Sequence, residues 1–276
     1  LSGQLRKLEE RLGVTLFERT KRHVGLTGIG GRIVGQAREI LRNVAAMEQL
    51  AAAHKDPLVG ACRIGMPPTI GPYLTPLLLP VIKRYLPHIT LELIEGLTDR
   101  LEDRLTDGAL DVAILATSPT RTNLTEIVLY DEPFWIAMPN DHPLTDQDVV
   151  DVTQIEPGEL LLLSDGHCLR DQIYDACKLD RTLTRRNGGP RTQQTSLATI
   201  LALVGAGEGI TLVPAMSLAS GWVTDSGIAV RSEESGTAGR TVRLTLRKAY
   251  PRMALVEKLA DIIAACLPNT VHPARR

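Results

Sequence analysis

No stretch of eighteen apolar residues occurs in this chain, and no basic segment followed by an apolar one opens it, so neither a membrane span nor a secretory leader is indicated. The cytoplasm is the expected compartment. Cysteine is scarce: Cys62, Cys168, Cys177 and Cys266 are too few and too scattered for a secreted disulfide framework, and no metal-type Cys/His spacing links them. Any disulfide formed in a reducing compartment would be transient and chemical in purpose. Neither a metal nor an organic cofactor is expected. Disorder is excluded as well, because 276 residues with 43% hydrophobic and 23% charged content suffice for two modest domains or more.

A formal net charge of −1 conceals an uneven distribution. Up to Lys55 there are ten Lys/Arg against five Asp/Glu, a balance of +5; the remainder has 21 against 27, a balance of −6. A basic head on an acidic body suggests a polyanion at one end and a different partner at the other.

The chemistry concentrates in Gly166-His-Cys-Leu-Arg-Asp-Gln172 and in Cys177. An imidazole, a guanidinium and a carboxylate around Cys168 are neighbours of the kind that favour a thiolate open to oxidants. Cys177 supplies a second thiol able to condense with a sulfenic acid at Cys168. If Leu169 to Lys178 is one short helix, the two sulfurs stand on opposite faces about 13 Å apart along the axis. A disulfide needs Cα atoms within roughly 7 Å, so the bond requires that helix to unwind, which describes a switch and not a staple. Cys62, in the apolar run Ala61 to Met66, and Cys266, in an apolar helix, read as core.

The chain begins at Leu1 with the helical pattern Leu5, Leu8, Leu12 and no cap before it, as if cut into at its start. Gly13 ends that helix, and Thr15 to Arg19 with Val24 to Thr27 read as two short strands around the basic turn Lys21-Arg22-His23. From Arg32 to Ala53, Ile33, Ala37, Ile40, Val44, Met47 and Ala51 form a heptad seam. Beyond Gly60, β-type runs (Ala61 to Met66, Thr90 to Glu95, Val112 to Ala116) alternate with helical ones, which implies parallel strands with helices on both faces. Further strands are expected at Phe134 to Met138, Leu160 to Leu163, Gly209 to Val213 and Val242 to Leu246, with crossings between two subdomains near Pro139 and near Ser235 to Gly239. The glycines of Val204 to Pro214 do not make a dinucleotide loop, because their order is helix, glycines, strand.

The run from Leu1 to Val34 resembles the second half of the winged helix-turn-helix of LysR-type transcriptional regulators, and Val204 to Pro214 resembles the ending common to their effector domains. The resemblance implies an α/β fold: a partial winged helix-turn-helix over 1–31 whose N-terminal half is missing, a linker helix over 32–55, and two subdomains of the periplasmic-binding-protein type. These are 58–138 with 239–270, and 139–238. It implies double-stranded DNA as a partner, with Ser2, Gln4 and Arg6 facing the groove and Arg19, Lys21 and Arg22 on phosphates. It also implies self-association, as a dimer through 33–51 and as a tetramer, with RNA polymerase a further partner and no membrane.

SDGHCLRDQ with a second cysteine nine residues later, and PPTIGPYL from Pro67, resemble the peroxide-sensing branch of that family. The resemblance implies Cys168 as the peroxidatic thiol, Cys177 as its resolving partner, and hydrogen peroxide held by Thr69, Thr98, His167 and Asp171. Arg170 stands beside them at a lower rank, and Arg247 adds positive charge from the other subdomain. Thr69 follows the first strand, where α/β folds gather ligands, and peroxide cleavage needs hydroxyl donors and positive charge for the departing oxygen. Two other classes fit less of the chain: a regulator responding to a small organic effector in the cleft, and a thiol peroxidase, which the DNA-binding half-motif disfavours. No enzyme is expected.

Overall fold

The computed structural model describes residues 2–19, 24–179, 196–219 and 227–274, in two compact units, Leu1–Ala51 and Ala52–Arg276.

In the first unit, α1 (Ser2–Leu12) ends at Gly13, whose φ of 67° is the left-handed conformation that closes a helix. Strands β1 (Phe17–Arg19) and β2 (Val24–Leu26) pair antiparallel, Phe17 opposite Leu26. The Glu9 carboxylate fastens this ribbon to α1 by accepting from the amides of Leu16 at 2.7 Å and Phe17 at 3.2 Å. Thr27 caps the next helix, α2 (Gly28–Lys55), its hydroxyl accepting from Gly30 N at 2.9 Å and donating to Thr15 O at 2.7 Å. A side chain at Gly30 would meet the Leu16 carbonyl at 2.1 Å, so only glycine fits. The linker helix therefore starts at Gly28, earlier than the expected residue 32, with Gly28, Gly30 and Gly31 in its first turn. Along α2, Ile40, Leu41, Val44 and Met47 are exposed.

The second unit opens with β3 (Gly60–Met66), α3 (Gly71–Tyr85), β4 (Ile89–Glu95), α4 (Thr98–Thr106) and β5 (Val112–Leu115). β3 runs parallel to both β4 and β5, so the loops after β3 and β4 open at the same end. Strand β6 (Leu124–Pro139) is followed by β7 (Val149–Val150), α5 (Cys168–Ala176), α6 (Leu197–Gly205) and β8 (Thr211–Pro214). Then come β9 (Ile228–Glu233), β10 (Gly239–Arg247), α7 (Met253–Cys266) and β11 (His272–Pro273).

The strands lie in the order β4-β3-β5-β10-β6-β9-β7, with β8 and β11 also on β6. The sheet is mixed rather than parallel: β10 re-enters against the direction of β5 and pairs antiparallel with both β5 and β6. β6 serves two partners in turn. Residues up to Pro133 pair with β10, whereas Phe134–Pro139 pair with β8 and β9, so the crossing falls at Pro133/Phe134 and not near Pro139. Two cores follow from this division. One gathers β3, α3, β10 and α7 around Ile64, Leu74, Leu244 and Leu259; the other gathers β8, α5 and α6 around Ile136, Ile173, Leu201 and Leu212. The expected strand Leu160 to Leu163 forms isolated bridges rather than a ladder, Leu160 pairing parallel with Ile210. Among the described residues no helix is long and apolar enough to cross a membrane.

Candidate functional site

Helix α5 organises the site because its two ends belong to different cores. Cys168 opens the helix, half-buried against the first core. Cys177, its C-cap residue, is 6% exposed within the second. Both thiols are free. Leu169, Ile173 and Tyr174 are buried, the first two packing in the second core, while Gln172 Nε2 donates to the Ala116 carbonyl at 2.8 Å and ties the helix to the end of β5. The first turn of a helix presents unpaired N–H groups and favours negative charge, which is the environment Cys168 occupies.

The loop after β3 brings Thr69, 2% exposed, and β10 brings Arg240, 6% exposed. Arg240 Nη1 donates to Thr69 Oγ1 at 3.1 Å, Nη2 to Thr69 O at 2.9 Å, and Nε to Glu132 Oε2 at 2.8 Å. The other Glu132 oxygen accepts from Met216 N at 2.9 Å. Burial works against the Arg240 charge, but Glu132, Tyr130 and Cys168 outweigh it and hold the guanidinium above its ordinary value. Cys168 thus shares its surroundings with a buried cation. Tyr73, next to the same pair, is pushed up to about 12, chiefly by burial, and stays neutral.

Thr98 starts α4, and the residue before it, Leu97, approaches the turn ahead of α5, its Cδ1 3.2 Å from where a Cβ at Gly166 would lie. Its hydroxyl is buried and has no hydrogen-bond partner. A buried unpaired hydroxyl costs free energy unless it finds a partner. His167 is 7% exposed, and burial pulls its imidazole below the ordinary value, so it is neutral near pH 7.

Two expected pocket residues are engaged elsewhere. Arg170 donates to Leu163 O at 2.8 Å, pairs with Asp165 at 3.3 Å and lies over the Tyr174 ring, bracing the turn before α5. Arg247 donates to the carbonyls of Leu105 and Leu110 and lies over the Tyr250 ring, so the cation beside Cys168 is Arg240 instead. The reason is strand alternation: Arg240 falls on the buried face of β10 with Val242 and Leu244, whereas Arg247 falls on the half-exposed face. That period was readable in Arg240-Thr-Val-Arg-Leu-Thr-Leu-Arg247. Glu132 and Tyr73 carried no such signal, because their partners are distant in sequence. Asp171 is exposed on the first turn of α5.

The remaining cysteines are core residues. Cys62 is fully buried and pushed up to about 12 by burial, with Asp111 adding to the effect; Cys266 is raised by burial and donates to Ile263 O at 3.3 Å. In the first unit Gln4 and Arg6 are exposed on α1, Ser2 begins that helix and Arg19 ends β1. Lys21 and Arg22 lie outside the described residues.

Comparison with known proteins accounts for both units. Residues 1–31 match the bacterial regulatory helix-turn-helix protein model of the lysR family, and residues 55–267 match the LysR substrate binding domain. The chain is 38% identical over 263 residues to the hydrogen peroxide-inducible genes activator of Pectobacterium carotovorum, covering 95% of this chain and 85% of that protein. It is 37% identical over 265 residues to the DNA-binding transcriptional dual regulator OxyR of Escherichia coli, with 96% and 85% covered. Among solved structures, a full-length cysteine-to-aspartate variant of OxyR from Pseudomonas aeruginosa matches with a TM-score of 0.76 at 36% identity over 96% of this chain and 88% of that one. A hydrogen-peroxide-bound cysteine-to-serine variant of OxyR from Corynebacterium glutamicum matches with a TM-score of 0.71 at 32% identity, over 96% and 82%. With both domains of the family matched and relatives more than 30% identical over nearly the whole chain, the chain belongs to the LysR family of bacterial transcriptional regulators, on its OxyR branch.

Proposed function

We propose that this chain is a cytoplasmic, DNA-binding transcriptional regulator that senses hydrogen peroxide through Cys168 and locks its oxidised form with a Cys168–Cys177 disulfide. One observation carries the reading: two free thiols at opposite ends of one nine-residue helix, each packed against a different core. The helical rise separates them by about 13 Å, beyond disulfide reach, so the bond and the intact helix exclude each other.

In the first step the Cys168 thiolate attacks one peroxide oxygen. An S–O bond forms as the O–O bond breaks, sulfur gives up two electrons, and hydroxide leaves and takes a proton to become water. Thr69, the unpaired Thr98 hydroxyl and Arg240 supply the donors and positive charge for the two oxygens. In the second step Cys177, as its thiolate, attacks the sulfenic sulfur and displaces hydroxide. The sum is two thiols and one peroxide giving a disulfide and two waters. The last turns of α5 unwind to allow it, and the second core repacks.

DNA would meet Gln4 and Arg6 on α1, with Ser2 at its start. The exposed seam of α2 pairs with a second copy; a tetramer and a contact with RNA polymerase complete the assembly. Peptide-resolved mass spectrometry after one equivalent of peroxide tests the redox core. The expected result is oxidation at Cys168 first, then one disulfide to Cys177. Cys168→Ser loses both products, whereas Cys177→Ser stops at the sulfenic acid. Earlier oxidation of Cys62 or Cys266 would overturn the assignment.

A further inference from the structure

The middle of α5 carries a contact that the redox steps above do not use. Gln172 lies between Cys168 and Cys177, inside the stretch that has to leave its helical form before the sulfurs can meet. Its Nε2 donates to the Ala116 carbonyl at 2.8 Å. That acceptor is a fixed post. Ala116 is buried at the end of β5, where Leu115 pairs with Arg243 of β10. Beyond it, Thr120 is gripped by the buried Glu102, which accepts from its amide at 3.1 Å and from its hydroxyl at 2.6 Å. A carbonyl only accepts, so the Gln172 amide must turn its nitrogen toward Ala116. Its oxygen is left buried with no hydrogen-bond partner. Along the same turns lies a cavity of about 430 Å³, lined by Gln172, Asp175, Ala176 and Lys178 on one side and by Glu233 on another.

We infer that Gln172 is a positioning residue, a latch that holds α5 in its helical form and so sets how long a sulfenic acid at Cys168 waits for Cys177. This deepens the peroxide-sensing reading and rests on it. Leu169 and Ile173 seat the helix in the second core, whereas Ala116 packs in the first, so the Gln172 bond spans the two. A disulfide needs Cα atoms within roughly 7 Å, and residue 172 cannot keep its helical place while the ends of α5 draw that close. The bond to Ala116 therefore breaks as the helix opens, before the second thiol arrives. The latch acts on opening, the step during which it is still in place, and not on the attack that follows. The unmet Oε1 works against it: keeping this atom buried costs free energy that water repays once the turn opens, so the hold is weak enough to be released. The cavity gives the released turns room to move.

Peptide-resolved hydrogen exchange in a Cys168→Ser background reads the latch without any redox step. Gln172→Glu keeps the shape of the side chain but offers Ala116 no donor at neutral pH, and the amides of α5 should exchange severalfold faster. Gln172→Met, which also removes the unmet oxygen, should show a smaller rise in the same direction. Helix α6, packed in the same second core, should exchange as before in both variants. In the chain with all four cysteines, one equivalent of peroxide followed by timed trapping with dimedone gives the lifetime of the sulfenic acid at Cys168. That lifetime should shorten severalfold in Gln172→Glu and less in Gln172→Met. Unaltered exchange of α5 in both variants, or an unaltered lifetime in both, overturns the inference. So does a rise in α6 equal to that in α5, which marks general loosening. A sulfenic acid that never forms in the unaltered chain would instead sink the peroxide-sensing reading, while the exchange comparison still judges the latch.

Discussion

The two ends of α5 differ in nearly every property that governs a thiol. At the first turn Cys168 meets the positive end of the helix, shares its surroundings with the buried Arg240 guanidinium and is partly buried against the first core. At the last turn Cys177 meets the closing carbonyls of the helix and the hydrocarbon of the second core. One short helix thus separates a thiol prepared to react from one prepared to wait, and the separation comes from helix polarity and from which core each turn touches. If that reading is right, changes at the first turn alter whether oxidation begins, and changes at the last turn alter how it ends.

The sharpest way to break the contrast is at Arg240. Its pair with Glu132 is buried on both sides, with side-chain exposures of 1% and 0%. Arg240→Met should destabilise the fold by about 3–5 kcal/mol, because it leaves the Glu132 charge without its partner in a dry site. Denaturant unfolding measures this, and Glu132→Met in the same chain should recover much of it. Oxidation of Cys168 should slow in the single and the double variant alike. A double variant that is stable and still reacts at the original rate would remove Arg240 from the chemistry and leave it a structural role.

A smaller change works in the opposite sense on stability. Thr98→Val keeps the volume but removes a buried hydroxyl that has no partner. The reduced protein should gain about 1 kcal/mol, since the cost of the unmet hydrogen bond disappears, while peroxide oxidation of Cys168 slows. Stability and reactivity moving apart is the signature of a group held for a ligand. If both fall together, the hydroxyl is merely part of the packing.

Much of this framework was legible in the residues and some was not, for physical reasons. Short apolar β-type runs alternating with helical ones gave β3 and β5, and the order helix, glycines, strand over Val204 to Pro214 matches α6 followed by β8. β9 and the first half of β6 escaped. β9 has a buried residue only at each end, with half-exposed residues between, and β6 carries Glu126, Asp131 and Glu132 among its apolar positions. Each takes its strand form from neighbours across the sheet and not from its own pattern. The site divides in the same way. His167, Cys168 and Cys177 announce themselves in one segment, but the cation had to be chosen from a run of arginines by strand phase. Glu132, the Gln172 tie and the orphan state of Thr98 depend on contacts that only folding creates.

The last turn offers the finest adjustment. Lys178 has φ of 52°, a left-handed conformation that glycine usually supplies at this point, while Leu179 N donates to Tyr174 O at 3.0 Å and Lys178 N to Asp175 O at 3.3 Å, the pair of bonds that closes a helix. A side chain in this conformation costs roughly 1 kcal/mol, and the cost is relieved once the turn unwinds. Lys178→Gly should therefore stabilise the reduced protein by about that amount and slow disulfide closure severalfold, leaving the first oxidation of Cys168 unchanged. Because the change also removes a charge lining the cavity with Glu233, Lys178→Ala is the control: it removes the charge and keeps the strain. The difference between Gly and Ala in thermal unfolding and in closure rate isolates the backbone contribution. Should the two variants close the disulfide equally fast, the backbone at Lys178 has no part in releasing Cys177, and the waiting end of the helix is held by its side-chain surroundings alone.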